Sequence, residues 1–286
     1  MSTDQFIEGQ HFIADCHPPE VVGYKSLARA ASDLAAMGAA PFCYLLNLAL
    51  PRSRTGAWLD GFARGLARAS RQFGLRLAGG DTSHGKTIGI GITVVGSAAH
   101  GTALTRSGAR VGELLYVTGT LGHAALGLEL VLRGVHGSRG AMPLLQRHYF
   151  PEPRLAVGEW LAARRLPTAM IDISDGFAKD LHRLCAASKV GAVVWEGKLP
   201  QFGIPAAWSR LRLKSLELAL HGGEDYELLF TVPWRRRTRI PSRIAGVPVH
   251  CIGLVRSEGR IQLEGFTGRT RPLSARGWEH FRSGRS

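Results

Sequence analysis

Strand-like and helix-like apolar patterns alternate along almost the whole chain. Residues 20–38 carry apolar side chains at spacings of three and four, which predicts a helix that ends at Gly38. Residues 88–95 interleave Ile, Val and Gly with a period of two, which predicts a β-strand. Because both kinds of segment recur from one end to the other, the sequence predicts an α/β or mixed α+β fold.

The same patterns predict the other elements and a division of the chain. Residues 102–112 are polar, contain glycine and lack periodicity, so we expect a junction there between two domains of unequal size, 1–110 and 111–286. Further helices are predicted at 57–73, 123–133 and 154–165 and from residue 177 onward. Further strands are predicted at 75–78, 113–118, 169–171, 192–195, 227–232, 249–255 and 260–264, with a turn at 79–81.

Composition excludes several classes of protein. Of the 286 residues, 45% are apolar and 20% are charged, so the chain can bury a core. It has no apolar run of the roughly 18 to 20 residues that a membrane helix needs, and residues 1–4 do not resemble the start of a signal peptide. Its four cysteines show no metal-ligand spacing, which favours buried free thiols over zinc. We therefore expect a cytoplasmic protein without a membrane partner.

The formal net charge is +14, and residues 235–237 are three consecutive arginines. A basic surface attracts nucleic acids, but an arginine-rich, lysine-poor composition is also what a GC-rich genome produces, and we favour the second interpretation. A nucleic-acid-binding module, the alternative class of function, would need aromatic and basic side chains clustered on its strands. Residues 227–232 and 260–264 show no such clusters, so we expect no nucleic-acid partner.

Residues 80–87 match the P-loop expression GxxxxGK[ST] by letter. A P-loop needs a helix that begins at its Lys-Thr pair, so that backbone N–H groups point at the phosphates. Residues 88–95 are β-branched and interleaved with glycine, which disfavours a helix. We therefore interpret the match as coincidence.

Aspartates at the ends of apolar runs are the main candidates for chemistry. Carboxylates repel phosphate groups unless a metal ion lies between them, and Mg²⁺ prefers oxygen ligands. Asp172 follows a predicted strand, at the end where α/β proteins bind ligands, whereas Asp175 by itself also fits a helix N-cap. Converging aspartates are typical of a Mg²⁺–nucleotide site. The candidates are Asp4, Asp33, Asp81, Asp172 and Asp175.

Other candidates remain ambiguous from the residues alone. Asp33 lies in a predicted helix, where an aspartate is usually solvated. Residues 222–225 (GGED) fit a glycine turn as well as a site. Arg106 fits a phosphate clamp or a solvated side chain. His11 and Trp278 belong to no constellation that spacing reveals.

Six motifs nevertheless stand in one order: Ser2-Thr3-Asp4 with residues 9–12 (GQHF), then 32–39 (SDLAAMGA), 79–82 (GGDT), 104–108 (LTRSG), 172–176 (DISDG) and 222–228 (GGEDYEL). By these motifs the chain strongly resembles thiamine-monophosphate kinases, over nearly its whole length up to residues 277–281 (GWEHF). The resemblance implies a two-domain aminoimidazole-ribonucleotide-synthetase-like fold. Its N-terminal half would dimerise through its sheet, and its C-terminal half would be α/β.

The resemblance also implies a reaction, in which ATP phosphorylates thiamine monophosphate to thiamine diphosphate in a homodimer. The attacking oxygen belongs to an ionised phosphate, so positioning and charge neutralisation by Mg²⁺ suffice and no general base or nucleophilic residue is expected. The implied Mg²⁺ ligands are Ser2, Thr3, Asp4, Asp33, Asp81, Asp172 and Asp175. The implied ATP contacts are Gly80, Asp81, Arg106 and Ser174. The implied substrate contacts are His11, Glu224 and Trp278, whose indole suits a thiazolium cation.

One feature of the family is missing from the sequence. Family members carry, upstream of the Ser-Thr-Asp motif, a Gly-Asp-Asp motif whose aspartate binds Mg²⁺. We expect either a working enzyme whose start lies further upstream or a weakened or inactive relative, and the retained acidic residues favour the first. The alternative function is that of another ATP-dependent enzyme of the same fold, such as a selenophosphate-synthetase-like protein, which Trp278 and the His11 motif disfavour.

Overall fold

A computed structural model of the chain describes residues 1–257 and 259–279, and within them the strands form two sheets. The strands of the first sheet are β1 (Ser2–Ile7), β2 (Ala40–Leu50), β3 (Arg76–His84) and β4 (Gly89–Ser97). Their order in this sheet is β1-β4-β2-β3, so β1 and β3 form its two edges. β2 pairs with β4 in antiparallel and with β3 in parallel orientation.

The second sheet contains the later strands. These are β5 (Leu114–Thr118), β6 (Ala169–Asp172), β7 (Gly191–Trp195), β8 (Leu228–Val232), β9 (Arg243–Ile244), β10 (Val247–Arg256), β11 (Ile261–Glu264) and β12 (Thr270–Pro272). The strand order is β12-β11-β7-β10-β5-β8-β6, and β9 pairs with β10 beside this path. β6 is therefore an edge strand, and its carboxyl end is free to carry a loop toward the first sheet.

Seven α-helices within the described residues surround the sheets. They are α1 (Pro19–Ala36), α2 (Ala57–Phe73), α3 (His123–Leu132), α4 (Met142–Tyr149), α5 (Leu155–Ala163), α6 (Phe177–Ser188) and α7 (Ser215–His221). In residues 1–257 and 259–279 no helix is both long and apolar enough to cross a membrane.

Helix α1 is the central element because it packs against α2, α5, β4 and β6. It approaches α2 closely at two glycines. A Cβ atom on Gly23 would lie 2.0 Å from the carbonyl oxygen of Phe62, and one on Gly65 would lie 1.8 Å from that of Glu20. Side chains at these positions would separate the helices, so the glycines set the spacing of α1 and α2.

One hydrophobic core joins the two sheets. Leu34 of α1, Val94 of β4, Leu161 of α5 and Phe230 of β8 are buried members of the same cluster. A second core lies where α6 and α7 cover the second sheet. Because α1 shares its core with both sheets, its polar side chains are held at the place where the sheets meet.

The structure confirms the mixed architecture and most of the predicted elements, including the strand after Lys86-Thr87 that argued against a P-loop. The predicted turn at 79–81 is wrong, because β3 continues through these residues and pairs with the unpredicted strand β2. The continuous apolar run of β2 has no period that distinguishes a strand from a helix. The strands β1, β9 and β12 and the helices α4 and α7 were also not predicted.

Two further expectations have mixed outcomes. Residues 102–112 form neither helix nor strand, while the limits of the two domains stay a prediction. All four cysteines are free, as expected, but Cys185 is fully buried whereas Cys16, Cys43 and Cys251 are partly exposed. Of the motif at residues 277–281, His280 and Phe281 lie outside the described residues.

Candidate active site

A cavity of about 430 Å³ opens between β1, α1, the carboxyl end of β6 and the segment 222–226. Most of the predicted site residues line it. They are Thr3, Asp4, His11, Asp33, Asp172, Ser174, Asp175, Glu224 and Trp278. Residues 4 and 278 stand almost at opposite ends of the chain, so the fold and not sequence proximity brings them together.

The remaining predicted residues lie elsewhere in this chain. Ser2 does not line the cavity itself, but its hydroxyl donates a hydrogen bond to Asp33, which does. Gly80 and Asp81 lie on β3, all nine residues of which are exposed. Arg106 is exposed in the 102–112 segment, where its carbonyl oxygen accepts a hydrogen bond from Ser188. The structure therefore does not bring Gly80, Asp81 and Arg106 to the cavity.

Helix α1 presents three charged side chains to this region at intervals of one turn, Lys25, Arg29 and Asp33. Arg29 donates to Asp4 on β1, with Nε 3.0 Å from Oδ2, and lies 3.5 Å from Glu224 Oε1. Its guanidinium also lies 4.9 Å from the ring centroid of Phe6. Arg29 thus links the first motif of the chain to the last acidic one.

Asp33 and Asp172 form the least compensated part of the cavity wall. Each accepts a hydroxyl hydrogen bond, Asp33 from Ser2 and Asp172 from Ser32 at 2.6 Å. Among the residues that the structure describes, neither carboxylate forms an ion pair. Burial, together with the nearby charge of Asp33, raises the pKa of Asp172 to about 8, and burial also raises the pKa of Asp33. This pair of carboxylates therefore favours a bound cation.

The loop after β6 is shaped by Asp180 of α6. One oxygen of this buried carboxylate accepts the backbone N–H groups of both Ser174 and Asp175, each at 3.0 Å. Asp175 does not cap α6, whose N-cap is Gly176; its carboxylate pairs instead with Arg183 at 2.6 Å. The N-cap interpretation of Asp175 is therefore wrong, and the loop is held so that Ser174 and Asp175 line the cavity.

Segment 222–226 is bonded to the same loop. The N–H of Glu224 donates to the carbonyl oxygen of Ser174 at 2.8 Å, and that of Tyr226 donates to Ile173 at 2.9 Å. Glu224 and Tyr226 have φ angles of 68° and 49°, a conformation that non-glycine residues rarely adopt. A Cβ on Gly223 would lie 2.7 Å from the Ser174 oxygen, so glycine is required there. The GGED string is thus both a tight turn and part of the cavity wall.

The two aromatic substrate candidates are fixed through their backbones or rings. The backbone N–H of Trp278 donates to the carbonyl oxygen of Asp175 at 3.0 Å. Trp278 is 46% exposed and lines the cavity. His11 accepts the N–H of Ile7 at Nδ1, at 3.0 Å, and its ring centroid lies 6.0 Å from that of Phe6. Both rings are therefore held at the rim by the motifs next to them.

Comparison with known proteins shows the family of the chain. Residues 1–98 match the family model of the AIR synthase related protein N-terminal domain, and residues 110–233 match that of the C-terminal domain. The thiamine-monophosphate kinase of Escherichia coli strain K12 is 38% identical over 289 residues, covering 98% of this chain and 86% of that protein. The chain belongs to the thiamine-monophosphate kinase family. The enzyme of the same name from Bacillus subtilis is 33% identical, covering 98% of this chain and 87% of its own.

Solved structures of the thiamine-monophosphate kinase family share the fold. AaThiL complexed with AMPPCP and TMP superposes with a TM-score of 0.88 at 31% identity, covering 98% of this chain and 86% of that one. The Aquifex aeolicus thiamine monophosphate kinase gives 0.83 at 32% identity, covering 95% and 88%. HypE, a hydrogenase maturation protein, gives 0.77 at 19% identity over 98% and 89% of the chains, which shows the fold alone. The predicted resemblance and fold are therefore confirmed.

An apolar part of the cavity escaped the sequence analysis. Phe12 and Ile13 line it from the loop after β1, and Leu128 and Leu132 line it from α3. Helix α3 is apolar on almost every side, so periodicity did not show which face points to a site. Arg29 was also missed, although its spacing of four from Asp33 on one helix was a usable signal.

The donor set of this thiamine-monophosphate kinase family member suits Mg²⁺. The carboxylates of Asp33 and Asp172 lie among hydroxyl groups, and Mg²⁺ is usually held by one or two carboxylates together with water and substrate phosphates. Asp4 and Asp175 are already paired with arginines. Within the described part of the chain no three His, Cys, Asp or Glu residues cluster as a complete metal site. The residues present therefore fit a metal that arrives with a phosphate ligand.

Proposed function

We propose that this protein transfers the γ-phosphoryl group of ATP to thiamine monophosphate and forms thiamine diphosphate and ADP. The observation that carries the proposal is the convergence of nine family-motif residues on one cavity. It is supported by membership of the family and by the likeness to a relative whose structure contains AMPPCP and TMP. The cavity volume of about 430 Å³ is in the range of small-molecule sites.

The phosphates belong, in this proposal, at the end formed by α1 and the loop after β6. Asp33 and Asp172 would hold Mg²⁺, which when bound neutralises charge on the transferring group. Lys179 and Arg183 lie beside Asp175, at 3.5 and 2.6 Å, and offer cationic groups at the same loop. Ser174 contributes a hydroxyl group to the cavity. The charges on these side chains orient an anionic chain of phosphates in line with its acceptor.

The acceptor end of the cavity lies beside this loop, among Glu224, Trp278 and the apolar side chains of α3, because the backbone N–H groups of Glu224 and Trp278 donate to the carbonyl oxygens of Ser174 and Asp175. Thiamine carries a thiazolium cation and a flat aminopyrimidine. The indole of Trp278 offers a π-face to such rings, and the Glu224 carboxylate offers opposite charge. The attacking phosphate oxygen is already ionised, so the chain needs to orient it and exclude water, and no side chain has to accept a proton.

The test is a direct assay of the purified protein. Thiamine monophosphate, ATP and MgCl₂ are incubated with the enzyme, and chromatography is used to detect thiamine diphosphate. We expect product that requires all three components and ADP formed in equal amount. Hydrolysis of ATP without thiamine diphosphate, or turnover only with another phosphorylated acceptor, would instead assign the chain to another ATP-dependent activity of the same fold.

We also propose that the protein is a homodimer that pairs through its first sheet. Phe42, Leu45 and Leu77 on β2 and β3 are exposed apolar side chains, and the whole of the edge strand β3 is exposed. A second copy on this face would cover Gly80 and Asp81. The roles of Gly80, Asp81 and Arg106 stay predictions, and so does the cytoplasmic location. Light scattering should give the mass of two chains, and Leu77→Asp should give one; a wild-type monomer would refute the pairing.

A further inference from the structure

Lys25 is a buried cation behind the cavity that no step of the proposed reaction uses. Lys25 is fully buried, with an exposed fraction of 0%, and it lies on α1 one turn before Arg29. Its Nζ donates to Glu224 Oε2 at 2.8 Å and lies 3.3 Å from His148 Nδ1. Removing an ammonium group from water is costly unless it is paired, so the contact with Glu224 is what allows the lysine to be buried.

Two buried histidines extend this cluster to another wall of the cavity. His148 of α4 has Nδ1 3.2 Å from Glu224 Oε2 and Nε2 3.0 Å from Nε2 of His17. His17 Nδ1 lies 3.0 Å from the carbonyl oxygen of Ile13 and 3.3 Å from its backbone nitrogen, and both His17 and Ile13 line the cavity. If each imidazole carries one proton, every ring nitrogen is satisfied in either of two directions. Either His17 donates to His148 and His148 donates to Glu224, or His17 donates to the Ile13 carbonyl oxygen and accepts from His148, whose Nδ1 then accepts from Lys25.

The charges in this cluster agree with one proton on each imidazole. Burial and the Lys25 ammonium lower the pKa of His17 to about 3, and the same two causes lower the pKa of His148, so both rings are neutral. Burial by itself would raise the pKa of Glu224, but Lys25, His148 and Arg29 hold it well below its usual value. The positive charges of Lys25 and Arg29 then balance the negative charges of Glu224 and Asp4.

Glu224 differs from an ordinary buried ion-pair partner in two respects. Its side chain is 17% exposed and lines the cavity, while Lys25 behind it is fully buried. Its backbone has the unfavourable φ of 68°, which persists only where surrounding contacts enforce it. The cluster therefore fixes the orientation of a carboxylate that faces the ligand space.

We propose that Lys25 and His148 are positioning residues for the acceptor substrate: they hold the Glu224 carboxylate toward the thiazolium cation, and His17 couples it to the loop that carries Ile13. This inference rests on the proposed function and adds the groups that act through Glu224. Lys25 contacts neither substrate in this arrangement. Its removal should weaken the acceptor end of the site and spare the nucleotide end.

The first experiment compares kinetic constants. Lys25→Met keeps most of the length of the side chain and removes its charge. We expect KM for thiamine monophosphate to rise at least about tenfold and KM for ATP to stay within about twofold. Arg154→Met is the matched control. Arg154 forms a buried ion pair with Glu227, with 2.5 Å between the charged atoms, and neither residue lines the cavity. This control should lower the melting temperature without raising KM for thiamine monophosphate.

The second experiment remains decisive if Lys25→Met does not fold. Lys25→Met/Glu224→Gln leaves neither member of the pair charged, and it is compared with Glu224→Gln. If Lys25 acts through Glu224, the two proteins should have the same KM for thiamine monophosphate within about twofold. A further increase of about tenfold in the double variant would overturn the proposal, because Lys25 would then act independently of Glu224.

The outcomes separate this inference from the proposed function. A wild-type protein that forms no thiamine diphosphate contradicts the proposed function itself. An active wild type together with a folded Lys25→Met variant whose KM for thiamine monophosphate is unchanged contradicts only the positioning role. Rescue is a further check: His148→Gln retains hydrogen-bonding groups toward Lys25 and Glu224 and should raise KM for thiamine monophosphate less than His148→Phe, whereas equal effects would contradict the hydrogen-bond role.

Discussion

The two acidic walls of the cavity are built differently. At one wall, Asp33 and Asp172 lie near each other, and each accepts a hydrogen bond from a serine hydroxyl group. Among the described residues, no side-chain cation lies within ion-pair distance of either carboxylate. At the other wall, Glu224 has Lys25 at 2.8 Å and Arg29 at 3.5 Å. Both walls come from motifs that look alike in the sequence, an acid close to glycine or serine.

The difference separates two tasks for a carboxylate. The first wall brings together two carboxylates that no side-chain cation of the described residues compensates, and a cation from solution can bind them together with the phosphates of a ligand. At the second wall, Lys25 and Arg29 balance the charge of Glu224, and these contacts fix the orientation of its carboxylate. In the proposed function, the first wall therefore holds the metal ion, and the oriented carboxylate of the second wall faces the organic cation.

The largest expected effect comes from the uncompensated wall. Asp172→Asn keeps the shape of the side chain and removes the charge that would hold Mg²⁺, so we expect turnover to fall at least about a hundredfold with the fold intact by circular dichroism. Asp15→Asn is the control, because Asp15 is 89% exposed on the surface. Near-normal turnover of Asp172→Asn at saturating Mg²⁺ would contradict the metal role.

A change at the compensated wall should reduce stability. Arg29→Met leaves Asp4 and Glu224 without their shared cation, and we expect the free energy of unfolding to fall by about 2 to 3 kcal/mol, since the pair is only partly exposed. Urea unfolding measures the change. Arg133→Met removes an exposed pair with Glu129 and should cost less than about 0.5 kcal/mol. Equal losses of unfolding free energy in the two variants would show that Arg29 stabilises this wall no more than an exposed ion pair would.

The pH dependence of stability should distinguish the walls in metal-free protein. Burial and Asp33 raise the pKa of Asp172 from 3.8 to about 8, so the folded state binds more protons than the unfolded state between these values. Stability should therefore fall as pH rises through this window, and Asp172→Asn should make the decline shallower by more than about 1 kcal/mol. Urea unfolding in EDTA at several pH values measures this difference.

Asp225, whose pKa burial also raises to about 8, contributes to the same window, so the informative quantity is the difference between variant and wild type. An equally steep decline in both proteins would assign the pH dependence to Asp225 and other groups and remove the contrast between the walls.

The smallest expected effect is at the rim of the acceptor end. Trp278→Ala removes a half-exposed indole, and we expect KM for thiamine monophosphate to rise about three- to fivefold with little change in KM for ATP. Trp234→Ala, at another exposed tryptophan away from the cavity, is the control and should leave both constants unchanged. A larger effect on ATP would place the nucleotide at this wall instead.

Local pattern was sufficient for much of this molecule. The apolar periodicity of residues 20–38 and 57–73 predicted α1 and α2 to within a few residues, because an amphipathic helix is specified by its own sequence. The position of Asp172 at the end of an apolar strand predicted a ligand site there, which the cavity supports. The order of six short motifs was enough to predict the family.

Only the tertiary structure decided which acids are neutralised. Lys25 and Glu224 are separated by 199 positions and Asp33 and Asp172 by 139, and no local pattern specifies pairs at such separations. The run at 79–81 became part of β3 because pairing with β2 overrides the turn preference of glycine. The sequence alone determined which residues are acidic and where the amphipathic helices α1 and α2 lie. The packing of α1 against β6 and segment 222–226 determined the charge that each acid meets, since electrostatic interactions depend on distance in space and on burial.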